Sequence, residues 1–464
     1  MTRHLAALVV GLTFVSPLAS VEYAAGRSPL TGLDYFAIET LYGQSLYALE
    51  TGADQGKAVA ASFTPDGQWT APSGTVTGRA AIAQHALTSR GRRAWLTNLS
   101  IEPSGEGAEG WACITFSEGL RMVEGGVFHD TLVRTRDGWR VKTRTYLPGT
   151  QWPTRPLPVL GPSNNTTSAL TATDYAELKH LITRYNLAYD NAGPFDQGLS
   201  SLVPFTPDAR FDRINGPTFI GKEIAQQSGG HKPLLHHWDT SAYVSVAPDG
   251  TVTNFMYDMQ FNIEEKGAPV SLNGAGLLHH RYVKTPEGWR VSYRLYEGVG
   301  STPQINWPTA AEAPIAPKLA PEPRVRGEKL SGADYVEIEQ LYMRNNIAFD
   351  SAADAGRRYA DTFTADGVLI RGGDRVTGPA ALAGVATSGT PGIHTWISNL
   401  TITPSKRGAT GRIYALTMVI NGEPGVKQSA TRGMATIDDI LVKTPGGWRI
   451  KQRTITPVAA ESVR

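Results

Sequence analysis

At 464 residues, with 41% hydrophobic and 19% charged side chains, the chain is globular in composition and too long for one hydrophobic core. A formal charge of +2 with no basic run excludes nucleic acid as a main partner, because phosphate binding needs concentrated positive charge. The single cysteine, Cys113, excludes an internal disulfide and reads as an inert strand residue of a core.

Residues 1–25 carry Arg3 and His4, an apolar stretch from Leu5 to Val15, and small residues at Ala19, Ser20, Ala24 and Ala25. That stretch is too short to span a bilayer, so it predicts a cleaved export signal and a periplasmic or secreted protein. The first unit, 31–150, opens at Asp34-Tyr35 with Ile38, Leu41 and Tyr42 at helical spacing. A short second helix is expected before Phe63-Thr-Pro-Asp66, then a strand, and a third helix led by Gly78. Trp95 precedes an alternating strand, and two long strands meet at a hairpin in which Asp137-Gly138 leads Gly-Trp-Arg. A Pro-rich spacer, 151–168, follows.

The second unit, 169–300, repeats this order at Asp174-Tyr175, Phe205 to Asp208, Gly221, Trp238 and Gly288. After a second spacer, 301–329, the third unit (330–459) repeats it at Asp334-Tyr335, Phe363 to Asp366, Gly378, Trp396 and Gly447. Helices first and strands last predicts an α+β fold: three tandem cone-shaped domains, each a strongly curved mixed or antiparallel sheet packed against three helices. Each cone leaves an apolar pocket between helices and sheet.

The Asp-Tyr helix, the Phe-Thr-x-Asp turn, the Gly-led helix and the closing Gly-Trp-Arg together resemble SnoaL-like domains of the nuclear transport factor 2 superfamily, in all three units. The middle unit most resembles the scytalone dehydratase and bile-acid dehydratase branch, which sets a Tyr and an Asp on the first helix against a His at the start of a strand. The matching residues are Tyr185, Asp190 and His237. A further His of scytalone dehydratase falls near Asn262, which departs from the pattern. The resemblance implies removal of water beside an enolisable carbonyl.

Comparing the copies sharpens this. The Tyr185 position is Ser45 and Asn345 in the other units, the Asp190 position is Glu50 and Asp350, and the His237 position is Ala94 and Thr395. Six of ten histidines lie in the middle unit, and imidazole is the side chain most easily tuned to exchange protons near neutrality. Asp190 and His237 are therefore the expected acid–base pair and Tyr185 the donor to a forming oxyanion, with no metal or organic cofactor required. Trp238, Tyr257, Asn262 and His280 are expected to line the substrate pocket.

Bland readings stand beside these. Asp190 could bond to the backbone at its helix end, Tyr185 could be ordinary core, and His237 could face solvent or be hydrogen-bonded core. His279 and His280 point to opposite faces, so only one can face the pocket, and a zinc site from His236, His237, His279 and His280 is disfavoured. Arg144, Arg294 and Arg453 recur in every copy and read as structural ion-pair partners.

The expected function is cofactor-independent dehydratase or isomerase chemistry on a small cyclic, polyketide-, steroid- or terpenoid-like substrate. The rival is a non-catalytic small-molecule-binding or scaffold protein; an epoxide hydrolase would need more carboxylates than Asp190 and Asp258. Domains of this superfamily pair through their sheets, so an odd number predicts one sheet left for a second chain to cover.

Overall fold

The computed structural model describes residues 30–457 apart from 106, 120, 149–168, 192–196, 203, 215, 230–234, 247–249, 263–270, 299–329, 353, 389–392 and 421–428. The expected export signal and both Pro-rich spacers lie outside the described residues. Each domain opens with a lead helix of 20 residues: Gly32–Thr51, Ala172–Asn191 and Gly332–Ser351. The first domain then carries strands β1 (Phe63–Ala71), β2 (Gly74–Thr77), β3 (Arg93–Ser104), β4 (Gly107–Glu118), β5 (Arg121–Thr135) and β6 (Gly138–Pro148). The second carries β7 (Phe205–Arg213), β8 (Phe219–Ile220), β9 (Leu235–Val246), β10 (Val252–Asn262), β11 (Ser271–Thr285) and β12 (Gly288–Gly298). The third carries β13 (Phe363–Arg371), β14 (Asp374–Thr377), β15 (Ile393–Ser405), β16 (Gly408–Ile420), β17 (Ser429–Thr444) and β18 (Gly447–Pro457).

All three sheets share one topology, β2-β1-β6-β5-β4-β3 and its counterparts. Only the β1–β6 type of pairing is parallel. Short helices close the cone; they start at Gly78, Gly221 and Gly378, whose φ values of 82°, 54° and 85° a β-carbon would strain.

One hydrogen-bonded node explains why the opening and closing motifs travel together. The lead-helix aspartate takes the cap residue's backbone N–H on one oxygen, at 3.0 Å for Asp34 and Asp174 and 2.9 Å for Asp334. Its other oxygen takes the indole N–H of the Gly-Trp-Arg tryptophan: Trp139 at 3.0 Å, Trp289 at 2.9 Å and Trp448 at 3.1 Å. A basic side chain, Arg134, Lys284 or Lys443, joins the same oxygen. Helix capping, hairpin and charge balance thus meet at one carboxylate.

Pairing through sheets, expected from the sequence, is replaced by a ring. The lead helix of the first domain packs on β15, that of the second on β3, and that of the third on β9. The strands β3, β9 and β15 meet at a pseudo-threefold axis, where Trp95, Trp238 and Trp396 share one buried cluster. An odd number of domains is then a closed set, and no lone sheet is left over by the packing.

Farther along the axis the same helix position holds Glu39, Lys179 and Glu339. The Lys179 ammonium lies 2.6 Å from both carboxylates. Burial raises Glu39, but Lys179 and His180 override it and hold the carboxyl at about 2. Glu339 stays above the usual range because burial outweighs Lys179 there. Lys179→Met strands two facing carboxylates and is expected to destabilise the chain by ~3–5 kcal/mol, whereas exchanging all three for apolar residues restores stability to wild type or above; urea unfolding midpoints check this.

Candidate active site in the middle domain

The second lead helix carries Tyr185, Asn186, Tyr189 and Asp190 toward the concave face of its sheet. His237, Asp239, Asn254, Asp258, His280 and Arg294 face them from β9 to β12. Alternation along the strands makes these inward residues and sends Trp238, Tyr257 and His279 the other way.

Asp190 and His237 form a closed pair. One Asp190 oxygen accepts the His237 backbone N–H at 2.7 Å and the other meets Nδ1 of the ring. With the proton on Nδ1, which this contact requires, Nε2 is left with its lone pair. Burial lowers the imidazole to about 3, with Asp239 opposing and Arg294 assisting, so the ring is neutral at ordinary pH. Tyr189 packs edge-on to the ring at 4.8 Å, fixing its plane.

Tyr185 stacks on Tyr189 at 5.5 Å, with the Arg294 guanidinium 4.1 Å above its ring. Burial raises its hydroxyl well above the usual range, so it remains a proton donor.

Arg294 departs from the ion pair expected of it. Its counterparts do bind a carboxylate: Arg144 reaches Asp130 at 2.9 and 2.6 Å, and Arg453 reaches Asp439 at 2.9 and 2.7 Å. In the middle domain that aspartate position is His280, whose Nδ1 bonds the Asn254 amide oxygen at 2.8 Å. Burial, then Arg294 and His279, push His280 well below its usual value, so a neutral ring has replaced an anion. The Nε of Arg294 has no hydrogen-bond partner.

Two carboxylates that the sequence reading underweighted supply the compensation. Asp239 and Asp258 are cross-strand partners on β9 and β10. The same pair is Leu96 with Ile114 in the first domain and Ile397 with Ala415 in the third. Both Asp239 oxygens and Oδ1 of Asp258 are enclosed without a well-formed hydrogen bond, as are both amide atoms of Asn186 beside them. Burial raises Asp239 despite Arg294; burial and Asp239 together raise Asp258 further. Two acids this close hold one proton between them.

Three expected pocket residues need correction or lie out of view. Trp238 packs with Trp95 at 5.6 Å on the axis, because its strand face meets a neighbouring domain rather than the cone. Tyr257 likewise points at the third domain, in a cluster with Ile347 of that domain's lead helix. The side chains of Asn262 and His236 lie outside the described residues. His280 is on the concave side and His279 outside, 3.6 Å from Glu297. A cavity of about 440 Å³ lies elsewhere, on the border of the first and third domains. It is an open groove lined by Thr401, Thr403, Thr410 and the Arg412–Asp438 ion pair, without the enclosed acid–base groups of the middle cone.

Three curved sheets of one topology, each closed by helices, define a nuclear-transport-factor-2-like fold. The chain belongs to the SnoaL-like domain family, which it matches over residues 32–145, 170–295 and 331–454. No curated protein sequence matches it. Among solved structures it is similar to an NTF2-like protein with a cystatin-like fold from Novosphingobium aromaticivorans, at 22% identity over 28% of this chain and 84% of that one, with a TM-score of 0.25. It is also similar to ActVI-ORFA from Streptomyces coelicolor, at 21% identity over 26% and 96% of the two chains, TM-score 0.24. Aln2 from a Streptomyces species shares 25% identity over 28% and 94%, TM-score 0.25.

Restoring the apolar pair tests how the carboxylates are held. Between the ordinary carboxyl range and their raised values the folded state binds more protons than the unfolded one, so wild-type stability falls as pH rises there. The triple variant Asp239→Leu/Asp258→Ile/His280→Asp, which also gives Arg294 the counter-ion that Arg144 and Arg453 have, is expected to melt close to wild type near pH ~4 and well above it, by ~1–4 kcal/mol, near pH ~8, whereas the double variant without His280→Asp leaves the guanidinium uncompensated and melts below wild type. Thermal melts across that range check it.

Proposed function

We propose that the middle domain is a cofactor-independent acid–base catalyst, a dehydratase or isomerase acting on a small cyclic substrate of polyketide, steroid or terpenoid kind. The observation that carries this reading is the exchange of an apolar cross-strand pair for Asp239 and Asp258 in one copy of three. Asp130 and Asp439 each answer their arginine with one carboxylate beside an apolar pair, whereas the middle domain faces Arg294 with two, both raised above the ordinary carboxyl range by burial. One carboxylate more than the cation needs, on groups that hold their protons, is the arrangement of an acid–base site.

In this reading Nε2 of His237 removes a proton from the carbon beside a carbonyl. Asp190 stabilises the imidazolium as it forms and keeps Nδ1 protonated beforehand. The electrons pass to the carbonyl oxygen, where the Tyr185 hydroxyl and the Arg294 charge favour the enolate. For dehydration the enolate expels a hydroxyl that takes the Asp258 proton and leaves as water; for isomerisation the imidazolium returns its proton to another carbon of the conjugated system. The first and third domains, lacking the Tyr, Asp and His set, do no chemistry. With residues 1–25 read as a cleaved export signal, the reaction takes place outside the cytoplasm.

A second reading draws on the same carboxylate pair. Asp239, relieved of its proton, orients a water toward an epoxide carbon while Asp258 protonates the opening oxygen.

The test is a thermal-shift screen of cyclic hydroxyketones, enones and epoxides, followed by turnover assays on each hit. For hydroxyketones, His237→Gln and Asp190→Asn are expected to lower kcat by ~10²–10⁴-fold and Tyr185→Phe by ~10². Epoxide turnover that survives His237→Gln but not Asp258→Asn selects the second reading. Hits that stabilise wild type and variants alike, with no turnover, leave a binding protein instead. For the dehydratase, kcat/KM is expected to hold flat on the acid side, where His237 stays neutral down to about 3, and to fall on the alkaline side as Asp258 loses its proton.

A further inference from the structure

Each lead helix ends near a carboxylate, Glu50, Asp190 or Asp350, that faces the next domain of the ring. Glu50 accepts a hydrogen bond from the Tyr414 hydroxyl of the third domain at 2.6 Å. Asp350 accepts the Thr395 backbone N–H at 2.8 Å, and the Tyr257 hydroxyl of the middle domain lies against it. Tyr257 and Tyr414 hold one strand position, two residues before Met259 and Leu416, the partners of Trp238 and Trp396. Counted the same way from Thr115, the partner of Trp95, that position in the first domain is Cys113.

The ring therefore presents Cys113, not a phenol, to Asp190. Burial raises the thiol, and Asp190 raises it further. Asp190 uses one oxygen as Asp350 does, on the backbone N–H of the residue before the shared tryptophan. Its other oxygen meets His237. The first domain makes a second contact, since the Asn98 amide donates to the His237 carbonyl.

We propose that Asn98 and Cys113 of the first domain are positioning residues for the Asp190–His237 pair, so that the middle site is completed by a neighbouring domain that does no chemistry. Exchange of tyrosine for cysteine at one strand position releases the carboxylate to hold an imidazole; Asn98 anchors the backbone from which that imidazole projects. The inference rests on the acid–base reading of the middle cone and explains why a copy without a site is retained beside it.

Nuclear magnetic resonance of the full chain with nitrogen-labelled histidine tests this without a substrate. His237, assigned by its loss in His237→Gln, is expected to show a protonated Nδ1, a bare Nε2 and a strongly downfield Nδ1 proton between about pH 5 and 9. Wild type lacking that signature overturns the acid–base reading itself. In Cys113→Tyr the phenol is expected to take Asp190 as Tyr414 takes Glu50, and the downfield proton is lost. In Asn98→Ala its exchange with water is expected to rise at least about tenfold as the strand loosens. If both variants melt like wild type and keep its spectrum, the positioning role is wrong. Should Cys113→Tyr fail to fold, the third domain decides: Thr395→His should gain the signature only when combined with Tyr257→Cys. A signature in both of those variants, or in neither, overturns the proposal.

Discussion

A guanidinium enclosed in an apolar cone must find negative charge close by, and this requirement shapes all three domains. Two of them meet it from the adjoining strand, with Asp130 or Asp439 gripping the arginine in two places and a tyrosine, Tyr42 or Tyr342, near it. The middle domain gives up that aspartate for His280 and puts Ile182 where the tyrosine stands. Its negative charge comes instead from Asp239 and Asp258, on β9 and β10. The same buried cation thus meets a gripping carboxylate in two cones and a cross-strand carboxylate pair in the third.

The repeated motifs made the fold readable because each encodes a local necessity: a capping carboxylate, a positive-φ glycine, a hairpin turn. Asp34, Trp139 and their counterparts turn out to be one node, which is why they recur in step. His237 stood out by subtraction, since the other copies hold Ala94 and Thr395 there, whereas Asp190 did not, because Glu50 and Asp350 keep its acid. Asp239 was not readable, because its meaning depends on facing Asp258, and strand register cannot be seen in a lone sequence. Trp238 and Tyr257 misled for a related reason. Alternation assigns residues to faces, but it does not say that the outer face of this sheet is buried by another domain.

The ring also changes what degeneracy means. Glu50 and Asp350 keep the acidic position of Asp190 and spend it on contacts with Tyr414 and Tyr257 across domain borders. A carboxylate at the end of the lead helix is thus an interface group in those two domains, and in the middle domain it holds an imidazole instead. Burial leaves Asp350 at about 8, so the cross-domain contacts of the third domain carry a proton at neutral pH.

The axis of the ring carries two acids and one base, Glu39, Glu339 and Lys179, at a single helix position. A trimer of identical subunits cannot write that pattern: it would place three like charges around the axis or none. Joining the copies in one polypeptide lifted the restriction, and the resulting asymmetry gives each protomer-like unit an address. The lysine-bearing helix fits only between the two acidic ones, so the three units cannot be interchanged, and divergence in one cone need not be repeated in the others.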